Sequence, residues 1–384
     1  MKRDPVVYFK PQEQNNIHAL IETDYYNSYI EGETITQFPF ERWMERHKTI
    51  VTHSENIGDL SERIMRIFCK KDYLKGPIDN FLVVKEEILN KINVFIKAQK
   101  PIEFVMPAYP GRSFNLLTHT RRAPDLGEFE SLCLFWRMNE EVKSIYSPGV
   151  KWIIIQNTEV YAPFYGYTKE GLIPYRNELI KMINELGGDQ NHCFEFVNMK
   201  DLINEREEEF TSVYSEQKRE LIHRWEDENH KQKEKVTEAM RLGSNSLAAE
   251  IASIKLLDYY HGDKTISHFN NIKKSIQQRA ESTALQFAAF LRTVHQMKLF
   301  EKKYPSSIRA TVHPKTGQYS PHFISPNNKI VPWHGVAVLK DNGEVISVYE
   351  SVVISEPLRY RAVYIEGEYT PFYYKEIKKW RSSK

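Results

Sequence analysis

Cysteine is scarce in this chain. Cys69, Cys133 and Cys193 are the only three in 384 residues, and they lie far apart with no C-x-x-C spacing. That excludes a small disulfide-built domain and a cysteine-rich zinc site, and it makes a reducing, cytoplasmic setting the expected one. Net charge is nearly absent as well: Lys plus Arg is 53 against Asp plus Glu at 51, a formal +2. There is no global pull toward nucleic acid or anionic lipid, so any anion site must be local. No apolar run approaches the roughly 20 residues that span a bilayer. The basic start Met1-Lys2-Arg3 meets polar residues before a secretory core could form. Neither a membrane nor a nucleic acid is therefore expected as a partner. The phosphate loop G-x-x-x-x-G-K-[ST], the dinucleotide fingerprint G-x-G-x-x-G, the zinc helix H-E-x-x-H and the hydrolase elbow G-x-S-x-G are all missing, which removes support for the chemistries they carry.

What is present is the composition of a globular protein, 41% hydrophobic and 27% charged, long enough to bury one large core or two ordinary ones. Residues 1–65 mix aromatic and charged residues without a clear period and are read as an N-terminal extension. Residues 66–384 are read as a single α/β domain, a central mixed sheet flanked by helices in Rossmann-like layers. Asp79 to Lys100 carries apolar residues on one side of a helix, Ile102 to Pro107 is a short buried strand, and a helix starts near Pro124-Asp125 and runs through Trp136. Val150 to Ile155 has strand length, and Tyr175 to Leu186 is a helix stopped by Gly187-Gly188. A charged insertion at about 201–241 reads as a long solvated helix, with further helices over Leu247 to Tyr260 and Ile272 to Phe300. The C-terminal part is β-rich: Ile308 to Val312 is strand-like, and Asp341-Asn342-Gly343 signals a hairpin between Val336–Leu339 and Val345–Tyr349.

Three clusters could carry chemistry. The first contains Arg112, Ser113, Asn115, Arg121, Arg122, Asp125 and Glu128, between a strand end and a helix start whose free amides favour anions. The guanidinium fork can grip a phosphate or carboxylate with two parallel bonds. An equal alternative is a turn in which the arginines pair with Asp125 and Glu128. In the second cluster, Arg309, Thr311 and His313 would share one face of a strand. The third is Val331-Pro332-Trp333-His334-Gly335, an aromatic surface beside an imidazole, with a capped core corner as its plain alternative.

In this order the clusters resemble the isocyanide (isonitrile) synthase family, which includes the pyoverdine- and dityrosine-type biosynthesis enzymes. The resemblance covers roughly residues 80–350. Arg112-Ser113-x-Asn115 and Pro124-Asp125-Leu126-x-Glu128 match its first block, Arg309-x-Thr311-x-His313-Pro314 its Arg-x-Ser-x-His-Pro, and Pro332-Trp333-His334-Gly335 its Pro-Trp-His-Gly. Two departures stand out. Where the family commonly reads Ser-Asp-Gly-x-Val-Phe-x-Asp, this chain has Gln156-Asn157-Thr158-Glu159-Val160-Tyr161-Ala162-Pro163, and Thr311 replaces a serine.

The resemblance implies that an L-amino acid, tyrosine or tryptophan, reacts with a pentulose phosphate such as ribulose 5-phosphate without a metal or organic cofactor. It also implies a downstream oxygenase of the same pathway as a partner. The sugar phosphate is expected on Arg112, Asn115, Arg121 and Arg122 and the substrate carboxylate on Arg309, with Ser113 and Thr311 as further substrate-binding residues. His313 and His334 are the expected acid/base groups, Trp333 the wall, and Glu128 and Asp125 the groups that orient an imidazole or accept the ammonium. A relative ending at an N-formyl amino acid, and a phosphometabolite-binding homologue without turnover, are the alternatives.

Overall fold

The computed structural model describes residues 30–48, 58–112, 118–119, 121–156, 159–160, 173–186, 193–226 and 266–377. It is an α/β fold with two sheets among the described residues. A five-stranded mixed sheet holds β1 (Gly32–Ile35) at one edge, and a four-stranded parallel sheet is built from β2 (Ile102–Pro107), β3 (Val150–Gln156), β4 (Phe194–Asn198) and β5 (Ile308–Arg309) in the order β4-β3-β2-β5. The mixed sheet is completed by β6 (Val336–Leu339), β7 (Val345–Val348), β8 (Tyr360–Ile365) and β9 (Tyr373–Glu376), in the order β1-β8-β9-β6-β7. The hairpin expected around Gly343 is present: β6 and β7 pair antiparallel, and Gly343 takes φ +84 at the turn.

The parallel sheet is buried on both faces, and the two-residue period of its strands sorts side chains to opposite layers. Phe104, Met106, Trp152 and Ile154 join one core with helices α1 (Leu60–Phe68), α2 (Lys85–Ala98), α3 (Leu126–Lys143) and α4 (Ile173–Glu185). Val105, Ile153 and Ile155 join a second core with α5 (Met199–Asn204), α6 (Glu207–Glu226) and α7 (Ile266–Met297). Across the first layer Trp152 is sandwiched between Phe104 and Phe135, with ring centroids at 4.6 and 4.5 Å.

Several elements differ from the sequence reading. The helix expected over Asp79 to Lys100 is two, Ile78–Leu82 and Lys85–Ala98, broken at the β-branched pair Val83-Val84. Within the charged insertion, α6 is not simply solvated, because Phe210 and Leu221 are buried as it lies along α7. The helix expected over Leu247 to Tyr260 lies outside the described residues. Residues 30–48, inside the stretch read as an extension, are integral: β1 pairs parallel with β8, and Phe38 and Trp43 sit in the main core.

The strand expected over Ile308 to Val312 ends at Arg309, for a covalent reason. Ala310 N donates to Val105 O at 2.9 Å. In a parallel ladder the next residue of β2 facing that edge is Pro107, which has no N–H to give. The chain therefore leaves β2 and takes a new partner, with Thr311 N donating to Tyr319 O at 2.8 Å.

Chain order and sheet order together locate a crevice. The chain runs from β2 to β3 to β4 on one side, then returns to β5 on the other side of β2, so the topology reverses between β2 and β5. Ligands of open parallel sheets bind outside the carboxyl ends of the strands at such a switch point. Arg112 follows β2, while Thr311 and His313 follow β5.

The start of β3 depends on Gly149, which has φ +69. Next to it, Asn139 Oδ1 accepts from Val150 N at 2.8 Å. A Cβ at Gly149 would overlap Asn139 Oδ1 and come within 2.8 Å of Lys143 Cγ. Gly149→Ala should lower unfolding stability by about 1–3 kcal/mol. Urea denaturation checks this, and an unchanged midpoint would contradict the close packing of α3 on the entry to β3.

Candidate active site

The capping residues of α3 are also ligands of a buried cation. Asp125 Oδ1 accepts from Gly127 N at 2.6 Å, and Glu128 Oε2 accepts from Asp125 N at 3.0 Å, a reciprocal capping box. The remaining oxygens turn to Arg112. Its Nε and Nη2 donate to the two oxygens of Glu128 at 2.7 and 2.6 Å, and Nη2 lies 2.9 Å from Asp125 Oδ2. Neither the Arg112 nor the Glu128 side chain has any exposed surface. Tyr175 Oη donates to Glu128 Oε1 at 3.2 Å from α4.

This cluster joins the two sheets. Asp125 Oδ2 accepts from Ala337 N of β6 at 3.0 Å, and Arg112 Nη2 donates to Pro332 O at 3.0 Å, two residues before His334. One guanidinium serves two carboxylates in a dry site. Burial opposes the Arg112 charge, but the pair of carboxylates outweighs it and holds the cation firmly. Burial raises the Glu128 carboxyl, and Arg112 only partly reverses this, because Asp125 repels a second negative charge.

His334 follows directly. Pro332–His334 is one 3₁₀ turn, and Gly335 leaves it in extended backbone. A Cβ at Gly335 would lie 2.5 Å from Val348 O, so only glycine lets this turn settle on β7. Trp333 is buried against Tyr109 and Phe323, with centroids at 5.1 and 5.0 Å. Tyr109 takes φ +53 just after β2, and its hydroxyl bonds Ser131 Oγ. His334 is exposed at the surface of this turn. Desolvation by the protein around it, then the charges of His313 and Arg112, hold its pKa down to about 4. His313, exposed on the other side of the crevice, is lowered by burial, then by Lys75 and Lys315.

The expected site residues thus separate into groups. His334 lies close enough to His313 and to Arg112 for their charges to act on it. Trp333 is a buried support beneath the imidazole. Arg121 is committed elsewhere: Nε donates to Pro124 O at 3.0 Å, and Nη1 pairs with Glu368 and donates to Thr370 O at 3.1 Å. Arg122 is half-buried beside it. Arg309 turns its guanidinium over the Phe300 ring at 4.3 Å and donates to the Val105 and Ala310 carbonyls, with its pKa lowered to about 10 by burial. Thr311 is buried in the link to Tyr319. Ser113 and Asn115 lie outside the described residues, as do Asn157 and Pro163.

Sequence reasoning missed Gln156, Lys75, Ser320 and His322. Gln156 closes β3 nearly buried, with neither amide atom bonded among the described residues. Glu159, beyond it, accepts from Asn198 Nδ2 at the end of β4 at 2.8 Å. Among the described residues no group of three or more His, Cys, Asp or Glu is placed to hold a metal ion, and no helix is long and apolar enough to cross a membrane.

Comparison with known proteins agrees with this architecture. A family model described as pyoverdine/dityrosine biosynthesis protein matches residues 92–360. The chain is 24% identical over 288 residues to the L-tyrosine isonitrile synthase of Xenorhabdus nematophila, covering 74% of this chain and 81% of that protein. It is 25% identical over 264 residues to the L-tyrosine isonitrile synthase of Pseudomonas aeruginosa, covering 68% and 76%. With the L-tryptophan isonitrile synthase AmbI2 of Fischerella ambigua it shares 24% over 268 residues, covering 65% and 72%. The crystal structure of the PvcA protein from P. aeruginosa superposes with a TM-score of 0.62 at 20% identity, covering 83% of this chain and all of that one.

The depressed imidazole has a consequence for stability. His334 titrates at about 4 when folded and near 6.5 when unfolded, so between those values the unfolded state binds more protons. The contribution is therefore whole above about pH 6.5 and is lost as pH falls toward 4. His334→Gln should lose less thermal stability than wild type between pH 7 and pH 5. Equal losses in the two proteins would show that the imidazole is not held neutral.

Proposed function

The chain belongs to the pyoverdine/dityrosine biosynthesis protein family, and from that premise we propose that it is an isocyanide synthase. It converts the amine of an L-amino acid, tyrosine or tryptophan, to an isocyanide, with ribulose 5-phosphate as the carbon donor. The observation that supports the chemistry is that His334, two residues from the carbonyl held by the buried Arg112, lies close enough to His313 for the two imidazoles to act on each other electrostatically.

The reaction asks for proton transfers in sequence. The α-ammonium must lose a proton before its nitrogen can attack the sugar carbonyl, and the resulting carbinolamine must gain one to release water as the imine forms. Fragmentation of the sugar chain, with loss of phosphate and small carbonyl products, then leaves the former carbonyl carbon on nitrogen. The negative charge of a bound carboxylate or phosphate beside His334 raises its proton affinity above the unliganded value of about 4, so that in the complex the imidazole can take the first proton and return it. His334 is assigned that role, with His313 as its partner across the crevice. Arg112, Asp125 and Glu128, having no more than 2% of their side chains exposed, act as positioning groups through the Pro332 carbonyl. The similar synthases act on tyrosine and tryptophan by name, which supports an aromatic amino acid here.

Incubation with L-tyrosine or L-tryptophan and ribulose 5-phosphate, followed by mass spectrometry, tests the reading. The expected product is the isocyanide. A product heavier by one water would identify an N-formyl amino acid instead, and no consumption of any amino acid would overturn the assignment. General acid-base help is typically worth about 100 to 10,000-fold. His334→Asn should lower turnover by that order with little change in amino acid affinity, and unchanged turnover would remove His334 from the mechanism.

A further inference from the structure

Beside the crevice, three chain segments converge that the sequence clusters did not include. Leu74 and Pro321 form an isolated antiparallel bridge. It is fixed by Lys75 N donating to Ser320 O and His322 N donating to Tyr73 O, both at 2.8 Å. The bridge sets Lys75 opposite Ser320 and His322 opposite Tyr73, and Lys75 lies close enough to His322 and His313 to lower both. The third segment is the one leaving β5. Tyr319 bonds Thr311 through the backbone, and Gly76 packs so closely on Pro314 that a Cβ there would lie 3.1 Å from Pro314 Cβ. Lys75 and His313 are the immediate neighbours of those two residues.

The polar groups gathered here are donors and cations. Burial alone lowers the Lys75 ammonium, with no carboxylate acting to restore it. His322 is buried, and it is lowered by burial first and by Lys75 second, with only Asp72 and a backbone bond in opposition. His313 is affected by Lys75 in the same sense. Ser320 Oγ is 2% exposed as a residue and has no hydrogen-bond partner among the described residues. An unpartnered buried hydroxyl is unfavourable unless a hydrogen-bonding group completes it, and Lys75, across the bridge from it, carries a charge that burial disfavours. The guanidinium groups of Arg112 and Arg121 are already paired with Glu128, Asp125 and Glu368.

We propose that Lys75, Ser320, His322 and His313 form the site that holds the phosphate group of the phosphosugar. This rests on the phosphosugar reading above and locates it. A phosphate dianion brings several acceptor oxygens, which match the Lys75 ammonium, the Ser320 hydroxyl and the His313 imidazole, and its charge favours protonation of His322, whose ring already bonds the Leu74 backbone. His313 then belongs to both ends of the substrate, since it also lies close enough to His334 to act on its charge. The sugar would span from the bridge at Lys75 toward His334.

Calorimetric titration of the full-length protein, with inorganic phosphate and with ribulose 5-phosphate as separate probes, tests the site. Wild type is expected to bind both. Lys75→Met and His322→Gln should each weaken both by about tenfold or more, as expected for loss of one charge-assisted bond, with amino acid affinity unchanged. Lys75→Arg should recover much of the loss. Circular dichroism identifies a variant that fails to fold, in which case the other supplies the answer. Wild-type affinities in folded Lys75→Met and His322→Gln would overturn the proposal, as would failure of wild type to bind either probe. The two levels of the reading fail separately. Inorganic phosphate bound through Lys75 without consumption of ribulose 5-phosphate removes the donor and keeps the site, whereas undiminished consumption after Lys75→Met removes the site and keeps the donor.

Discussion

The structure depends on one buried cation. Arg112 leaves the loop after the central strand β2 and reaches the first turn of α3, where Glu128 takes it bidentately and Asp125 takes it from the side. The same two carboxylates cap the helix, and Asp125 also binds the backbone of β6. A helix start, a strand-end loop, the Pro332 turn and the second sheet are thereby fixed to one another through a single guanidinium. Removing a charge from such a dry cluster leaves its partners uncompensated, which costs far more than the pair adds over a well-packed apolar substitute. The cluster is best understood as a device for geometry: it sets where the Pro332 carbonyl lies, and so where His334 points.

Around that anchor, topology does the rest. A parallel sheet whose order reverses between β2 and β5 opens a crevice at the carboxyl ends of those strands. Pro107 deepens it by ending the β5 ladder, so the chain turns away to pair with Tyr319 and brings the bridge at Lys75 alongside. His334 arrives from the mixed sheet, His313 from β5 and Arg112 from β2. The Asp125 and Glu128 carboxylates are sequestered with Arg112 behind the crevice. Burial lowers the proton affinity of His334 and His313 in the absence of a ligand.

Much of this was legible in the residues. The α/β layering, strands β2 and β3, the helix beginning at Asp125 and the hairpin at Gly343 follow from period, length and turn chemistry. So did the alternative that the arginines pair with Asp125 and Glu128, which is what Arg112 does. Strand β4 escaped notice because Phe194–Asn198 is short and only partly buried apart from its last residue. The short β5 depends on a proline in a different strand, two hundred residues away. Lys75, Ser320 and His322 carried no local signal, since a lysine before a glycine and a Ser-Pro-His run are ordinary turn sequences. Only the bridge between Leu74 and Pro321 gives them a shared position.

The central role given to Arg112 is open to direct measurement by denaturant unfolding of Arg112→Met, of Glu128→Gln, and of the protein carrying both. Breaking a buried pair by removing one partner should cost about 3–5 kcal/mol, and the double variant should lose clearly less than the two single losses combined, because one of the two carboxylates that Arg112→Met leaves unpaired is then neutralised as well. A loss below about 1 kcal/mol for Arg112→Met, with strictly additive effects in the double variant, would contradict the account.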